Sequence, residues 1–386
     1  MLALTSLEIH TPEEILPDGT LLIEGEKIVA CGPSTSMQIP EHTQCLEMAG
    51  LHAFPGFIDL HTHGLQGHDA FGPGLAEVIR LLPRYGVTSF LATTVTLPLP
   101  EIKHRLKAMA QVLADPPPGA HCLGIHLEGP HLSPTRTGMA NPAWAVPLTK
   151  AGFDELQEAA GGHIRMVTFA PEQGPAMQLI PYLLEQGVIP SIGHSDASYE
   201  QVAEARDLGL RHATHTFNAM DPFHHRAPGV IGAVMAFPEI TAELIADGHH
   251  VHAGAMRALL NAKGAHGVCI VSDSAPFAGL PDGEYLWEGY SIIVEGDTCR
   301  TPEGHLAGSH ALLDAGFRNL VEKVGLTPAE AATCASTVPA REMGLENRKG
   351  RLQSGYDADL MICDHLYNTQ MTIGQGRILW SAGQVL

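Results

Sequence analysis

The sequence is poor in positive charge. Its 386 residues include 22 Lys and Arg against 42 Asp and Glu, a formal net charge of −20. A surface of that sign repels polyanions, which excludes nucleic acid and anionic membrane as partners. An anionic substrate would need a local basic pocket within an unfavourable overall field. Closely spaced cysteines are also missing. The seven present (Cys31, Cys45, Cys122, Cys269, Cys299, Cys334 and Cys363) are scattered, with no C-x-x-C pair. This argues against a disulfide framework or zinc finger and predicts reduced thiols in a cytoplasmic protein. No stretch approaches the ~18 apolar residues of a membrane span. The opening MLALTSLEIHTPEEI has neither a basic segment nor a sustained apolar run, so it is not expected to be a signal peptide. No internal repeat or low-complexity tract is visible.

What the chain does have is a globular balance, 45% hydrophobic and 17% charged residues, and an unusual 23 histidines. The first fifty residues read as short strands with tight turns (LTSLEIHT, PDG, TLLIEGEKIVACGP). The last forty do the same (GRLQSGYDADLMICD, TQMTIGQGRILWSAGQVL). Residues 1–52 and 345–386 are therefore expected to form one small β-sandwich domain built from both termini. Between them, in 53–344, eight β-type runs can be counted, from HAFPGFIDLHTHG through CLGIHLEGP to GVCIVSDS. Helical stretches such as EIKHRLKAMAQVLA, FDELQEAAG and YEQVAEARDLG occupy most intervals, and PGVIGAVMAF is the weakest of them. Strand and helix alternating eight times predicts an α/β fold, a (β/α)₈ TIM barrel.

Within those runs the polar residues sit at one end. His61 and His63 follow PGFIDL, Glu128 follows LGIHL and His194 follows IPSIG. His215 lies in HATHTF, and Asp273 follows CIVS. Barrel active sites occupy the C-terminal ends of the strands, so these six residues should converge. His61 and His63 are two apart, which on a strand puts both rings on one face. Glu128, His194 and His215 make a carboxylate plus two imidazoles, the ligand set of an open catalytic zinc site. Asp273 would supply the base that takes a proton from water and later hands it to a leaving nitrogen. His126 reads as core or as a support behind the site.

Lysine is absent from all eight runs, including IRMVTFAPE. A carboxylated lysine bridging two metals is thereby excluded, and Glu128 is left for that position. This disfavours a dihydroorotase or hydantoinase.

Taken in order, PGFIDLHTHG, HLEGPHLSP, GHSDASYEQ, THTFNAM, RAPGVIGA, ADGHHVH, AGLPDGEY, LAGS and GYDADLMICD resemble the N-acetylglucosamine-6-phosphate deacetylase family of the amidohydrolase superfamily, over essentially the whole chain. The resemblance implies metal-dependent deacetylation of a sugar phosphate, with Glu128, His194 and His215 as main metal ligands and Asp273 as acid/base. It places Asn218, Ala219, Arg226 and His250 around the substrate phosphate and implies a homodimer in which Arg226 reaches the neighbouring subunit. The expected cofactor is a divalent metal, zinc first and iron second. The intact H-x-H of His61 and His63 keeps the ligands for a second ion, so one or two per chain are expected. Two alternatives stay open: deacylation of another N-acyl compound (N-acetylgalactosamine 6-phosphate or an N-acyl-amino acid), and a catalytically dead metal-binding scaffold. Retention of Asp273 with every ligand candidate speaks against the second. In GMANP, Ala140 stands where family members often have a sugar-binding histidine, which predicts relaxed selectivity between hexosamine epimers unless a residue such as His131 substitutes.

Overall fold

The structure is a computed structural model and describes residues 1–11 and 14–383. Five strands open the chain: β1 (Leu2–His10), β2 (Ile15–Glu24), β3 (Lys27–Pro33), β4 (Gln44–Glu47) and β5 (His52–Pro55). Three close it: β18 (Leu360–Cys363), β19 (Thr369–Gly374) and β20 (Arg377–Ser381). They form one mixed sheet in the order β20-β19-β18-β5-β1-β2-β3, with β4 beside β1. Leu4, Leu7 and Ile9 from one terminus share a buried core with Leu360, Ile362 and Ile373 from the other. The end of the expected closing strand, 384–386, lies outside the described residues.

The middle of the chain is an eight-stranded parallel barrel. Its strands are β6 (Phe57–Thr62), β7 (Val87–Thr93), β8 (His121–Glu128), β9 (Ile164–Phe169), β10 (Ile189–Ile192), β11 (His212–Ala213), β12 (Thr241–Ile245) and β13 (Val268–Val271). Every residue of β6, β7, β12 and β13 is buried, the pattern of parallel strands covered on both faces. The ring closes where the Asp273 N–H donates to the His61 carbonyl (2.8 Å) and Thr62 bridges Ser274. Helices α1 (Leu75–Leu81), α2 (Leu99–Ala114) and α3 (Lys150–Ala159) lie between the early strands. After them come α4 (Ile180–Glu185), α5 (Tyr199–Asp207), α6 (Gly229–Ala236) and α7 (Ala253–Lys263). The weak PGVIGAVMAF stretch is α6. Helix α4 was not anticipated, because its six residues are too few to display a helical period. Beyond the barrel, α8 (Leu313–Asn319), α9 (Pro328–Ala332) and α10 (Val338–Glu342) return the chain to the terminal sheet.

Two features differ from the sequence reading. HATHTFNAM reads as a strand, yet only His212 and Ala213 are extended, and turns follow. An antiparallel sheet also follows the eighth barrel strand: β14 (Gly283–Trp287), β15 (Tyr290–Glu295), β16 (Thr298–Arg300) and β17 (Leu306–Ser309). Its signal was legible as strand-like runs broken by Glu-Gly and Gly-Asp turns, in EYLWEGYSIIVEGDTCR.

Candidate active site

All six strand-end residues meet. Glu128 is the hub, with its two carboxylate oxygens facing different pairs of imidazoles. Oε1 lies 3.1 Å from His194 Nε2 and 3.0 Å from His215 Nε2, and those two nitrogens are 3.0 Å apart. Oε2 lies 3.4 Å from His61 Nε2 and 3.3 Å from His63 Nε2. Asp273 Oδ1 faces the same two rings, at 3.5 and 3.1 Å. Two buried donor groups therefore share one neighbourhood: Glu128 with His194 and His215, and Asp273 with His61 and His63.

Local backbone geometry makes this convergence. His194, His215 and Asp273 all have left-handed backbones just beyond their strands, with φ of 50°, 26° and 47°. For non-glycine residues this conformation costs of order 1–3 kcal/mol each and persists only where the surroundings enforce it. It swings each side chain out of the strand direction toward the barrel axis. At the end of β8, Gly129 has φ 70°, and a Cβ there would come within 2.0 Å of Thr96 Oγ1, so only glycine lets the chain turn directly after Glu128.

Electrostatics follow from the packing. Burial opposes ionisation of Glu128, but His61, His194 and His215 overcome it and hold the carboxyl well below its ordinary range. Burial likewise opposes charging of His63, yet Asp273 and Glu128 raise it to about 9. Asp273, despite its burial, is brought down to about 2 by His61 and His63. These groups are tuned for opposite charge at close range.

The donors fit a divalent transition ion. His194 Nδ1 is fixed by the Arg136 carbonyl at 2.6 Å, which turns the Nε2 lone pair toward Glu128. His61 Nδ1 is fixed by Glu243 Oε2 at 3.2 Å, while His61 Nε2 is buried and has no hydrogen-bond partner. Two ring lone pairs beside a carboxylate oxygen make a nitrogen-and-oxygen set of the kind zinc and iron accept. His126 stands apart: its nitrogens bond the Leu60 carbonyl (3.0 Å) and Thr168 Oγ1 (2.7 Å), and burial takes its pKa down to about 3.

His63, Glu128, His194, His215 and Asp273 form the floor of a pocket of about 240 Å³, lined also by Ala140, Asn218, Ala219 and His250, and the fully buried His61 lies beneath it. Asp247 Oδ2 holds His250 Nδ1 at 2.6 Å and, against the effect of burial, raises the ring's pKa. The Asn218 backbone N–H already donates to the His215 carbonyl at 2.9 Å, which leaves Ala219 as the backbone donor of that pair. Arg226 is not part of the lining. It sits in an exposed loop, with its guanidinium on His225 Nε2 at 3.0 Å. His131 is buried behind the pocket with Nδ1 on the Val146 carbonyl, so it does not stand in for a histidine at 140.

Several contributors were not anticipated. Glu243, fully buried in β12, bonds His61 and also accepts the His215 backbone N–H at 3.2 Å. Asp59 Oδ1 accepts the backbone N–H groups of His61 and Ser272, each at 3.2 Å. The inserted sheet supplies Trp287, Tyr290 and Leu306 to the pocket wall. A carboxylate inside the apolar runs FIDL and TAELI was the available signal for Asp59 and Glu243.

A parallel barrel with histidine and carboxylate clusters at the C-terminal ends of its strands defines an amidohydrolase, and the Amidohydrolase family model matches residues 53–379. The chain belongs to the N-acetylglucosamine-6-phosphate deacetylase family within that superfamily. It is 36% identical over 386 residues to N-acetylglucosamine-6-phosphate deacetylase of Bacillus subtilis (strain 168), covering 98% of this chain and 96% of the relative. It is 38% identical over 327 residues to N-acetylgalactosamine-6-phosphate deacetylase of Escherichia coli O157:H7, covering 84% and 86%. A variant of the Mycobacterium smegmatis N-acetyl-D-glucosamine-6-phosphate deacetylase, solved in complex with N-acetyl-D-glucosamine-6-phosphate, superposes with a TM-score of 0.90. That pair shares 30% identity, with 98% of this chain and 99% of the solved one covered.

Proposed function

We propose that the protein hydrolyses the N-acetyl group of N-acetylglucosamine 6-phosphate, giving glucosamine 6-phosphate and acetate. The observation that carries this reading is the position of Glu128 between two imidazole pairs, with Asp273 alongside, at the floor of a pocket that reaches His250. Glu128, His194 and His215 would hold the main ion, zinc or iron. His61 and His63, sharing Glu128 and Asp273, would hold a second. A bound ion supplies Lewis-acid polarisation of the acetyl carbonyl. Asp273, ionised at neutral pH, takes a proton from the attacking water as the C–O bond forms. It returns that proton to the sugar nitrogen as the C–N bond breaks. His250 and the Ala219 N–H would receive the phosphate, whose charge suits the raised pKa of His250.

The exposed loop that carries Arg226 also exposes Phe223, at 56%. A homodimer in which this loop covers the partner's pocket would bring the guanidinium to a phosphate that its own chain does not reach. Seven unpaired cysteines favour a reducing, cytoplasmic setting. Among the described residues no helix is long and apolar enough to cross a membrane. We read 53–344 as the catalytic unit, with 1–52 and 345–386 as its companion β domain.

A second reading, N-acetylgalactosamine 6-phosphate, is left open by Ala140, which lines the pocket without a polar side chain to read the sugar. Acetate release measured on both N-acetylhexosamine 6-phosphates, with metal content on the same sample, tests the proposal. Release from neither sugar by metal-replete protein would overturn it.

A further inference from the structure

A second histidine–carboxylate cluster lies outside the barrel, on the terminal sheet. Glu8 and His10 are two apart on β1, and Glu8 pairs in parallel register with His52 of β5. Ile9 and Ala53, the residues between, point into the terminal core. By the alternation of strand side chains, Glu8, His10 and His52 therefore share the opposite face. Phe54 shares that face: it stacks on His10 at 4.3 Å and meets Phe317 of α8 at 5.2 Å. The cluster thus sits at the seam between sheet and barrel.

Its geometry matches that of the main barrel group. Glu8 Oε1 lies 3.0 Å from His10 Nε2 and 3.0 Å from His52 Nδ1, and the two ring nitrogens are 3.2 Å apart. The corresponding three distances among Glu128, His194 and His215 are 3.1, 3.0 and 3.0 Å. Protons alone do not satisfy this arrangement well. If both rings donate to the one carboxylate oxygen, their N–H groups confront each other across 3.2 Å. If one ring does not donate, its lone pair faces the lone pairs of the carboxylate. The other nitrogen of His10, Nδ1, is buried without a hydrogen-bond partner.

We propose that Glu8, His10 and His52 form an additional divalent-metal site, separate from the barrel centre and taking a zinc-class ion. Two imidazoles and one carboxylate suit zinc, whereas magnesium and calcium call for oxygen donors throughout. Glu8 is 37% exposed and His52 19%, so water can reach the remaining coordination position. The ion would clamp β1 to β5, the strand that leads into β6, and would stabilise the junction rather than take part in the reaction.

Zinc titration of the full-length protein against a chromophoric chelator tests this. Glu8→Gln and His52→Ala should each bind one zinc per chain fewer than wild type, with kcat/KM for deacetylation unchanged. In a background carrying both His63→Ala and His215→Ala, which breaks both barrel donor groups, zinc should raise Tm, and adding Glu8→Gln should abolish that rise. Glu8 is the exposed member, so Glu8→Gln decides the matter even if His52→Ala folds poorly. Equal zinc stoichiometry in wild type and Glu8→Gln, or a zinc-dependent Tm rise that survives Glu8→Gln, would overturn the proposal.

Discussion

Glu243 Oε2 lies 3.2 Å from His61 Nδ1, and its other oxygen lies 2.9 Å from His212 Nε2. His212 Nδ1 continues to Glu342 Oε2 at 3.1 Å. One buried carboxylate therefore sets the ring orientation of a site histidine and ties it to α10 at the far side of the barrel. Burial opposes ionisation of Glu243, but His212 and His61 hold its carboxyl well below the ordinary range. A carboxylate behind a ligating histidine fixes the tautomer that presents the other nitrogen's lone pair, and its loss typically costs about 10–100-fold in metal affinity or activity. Glu243→Gln is expected to lower metal content per chain and to lower kcat more than it raises KM. Metal analysis and steady-state kinetics on the same preparation check this. An unchanged metal content would remove Glu243 from the support of His61.

Asp273→Asn should keep the fold and the main metal group while removing the proton carrier. General acid–base steps are typically worth ~10²–10⁴-fold, and kcat should fall in that range. Near-normal kcat in a folded, metal-replete variant would rule Asp273 out as the base.

Position 140 tests sugar recognition. One hydrogen bond contributes about 0.5–1.5 kcal/mol net, so Ala140→His should sharpen discrimination between gluco- and galacto-configured substrates by up to roughly tenfold. The measurement is kcat/KM on both N-acetylhexosamine 6-phosphates. If wild type already discriminates strongly and the variant is unchanged, the side chain at 140 does not read the ring.

Arg226 is exposed in its own chain and absent from its own pocket. Arg226→Ala should raise KM for the phosphorylated substrate far more than for the unphosphorylated sugar. Unfolding and refolding a mixture of Arg226→Ala and Asp273→Asn chains should recover activity, because a mixed dimer contains one site with both an intact Asp273 and an intact partner guanidinium. If the mixture is no more active than its components, Arg226 does not serve across the interface.

Asp357 gives the stability prediction. It is 2% exposed and contacts Lys27 Nζ (2.7 Å), Arg348 Nη2 (3.0 Å) and the buried Lys349 Nζ (3.6 Å). Burial opposes its ionisation, but these cations hold its pKa below the ordinary value. An unfolded Asp titrates near about 3.9, so the folded chain binds fewer protons as the pH falls below that value. The contribution is therefore complete above about pH 4 and lost as pH falls through the lower folded pKa. Asp357→Asn should destabilise at neutral pH, toward the low end of the ~3–5 kcal/mol for breaking a buried pair, because Asp359 still pairs with Lys349. Denaturant melts across pH should show the gap to wild type closing below about pH 4. A gap independent of pH would contradict this account.

The alternation of buried strands and amphipathic helices, and the placement of His61, Glu128, His194 and Asp273 after apolar runs, were legible in the sequence. They are local properties: a fully buried parallel strand is written as continuous apolar residues, and a strand end as the first polar ones. The barrel and its candidate floor follow from that pattern and from the rule that such sites gather at C-terminal strand ends. What only the tertiary structure decided is what depends on residues far apart in sequence. That Glu128 gives one oxygen to His194 and His215 and the other to His61 and His63 requires left-handed backbone at three separate strand ends, which no local pattern encodes. Glu243 and Asp59 acquire their roles only when β12 and β6 come to face the same axis, since a lone carboxylate within an apolar run has no visible partner until the barrel closes. The pocket wall from Trp287 and Tyr290, and the meeting of Glu8 and His10 with His52, likewise arise from contacts between distant segments, whose energies depend on position in space rather than along the chain.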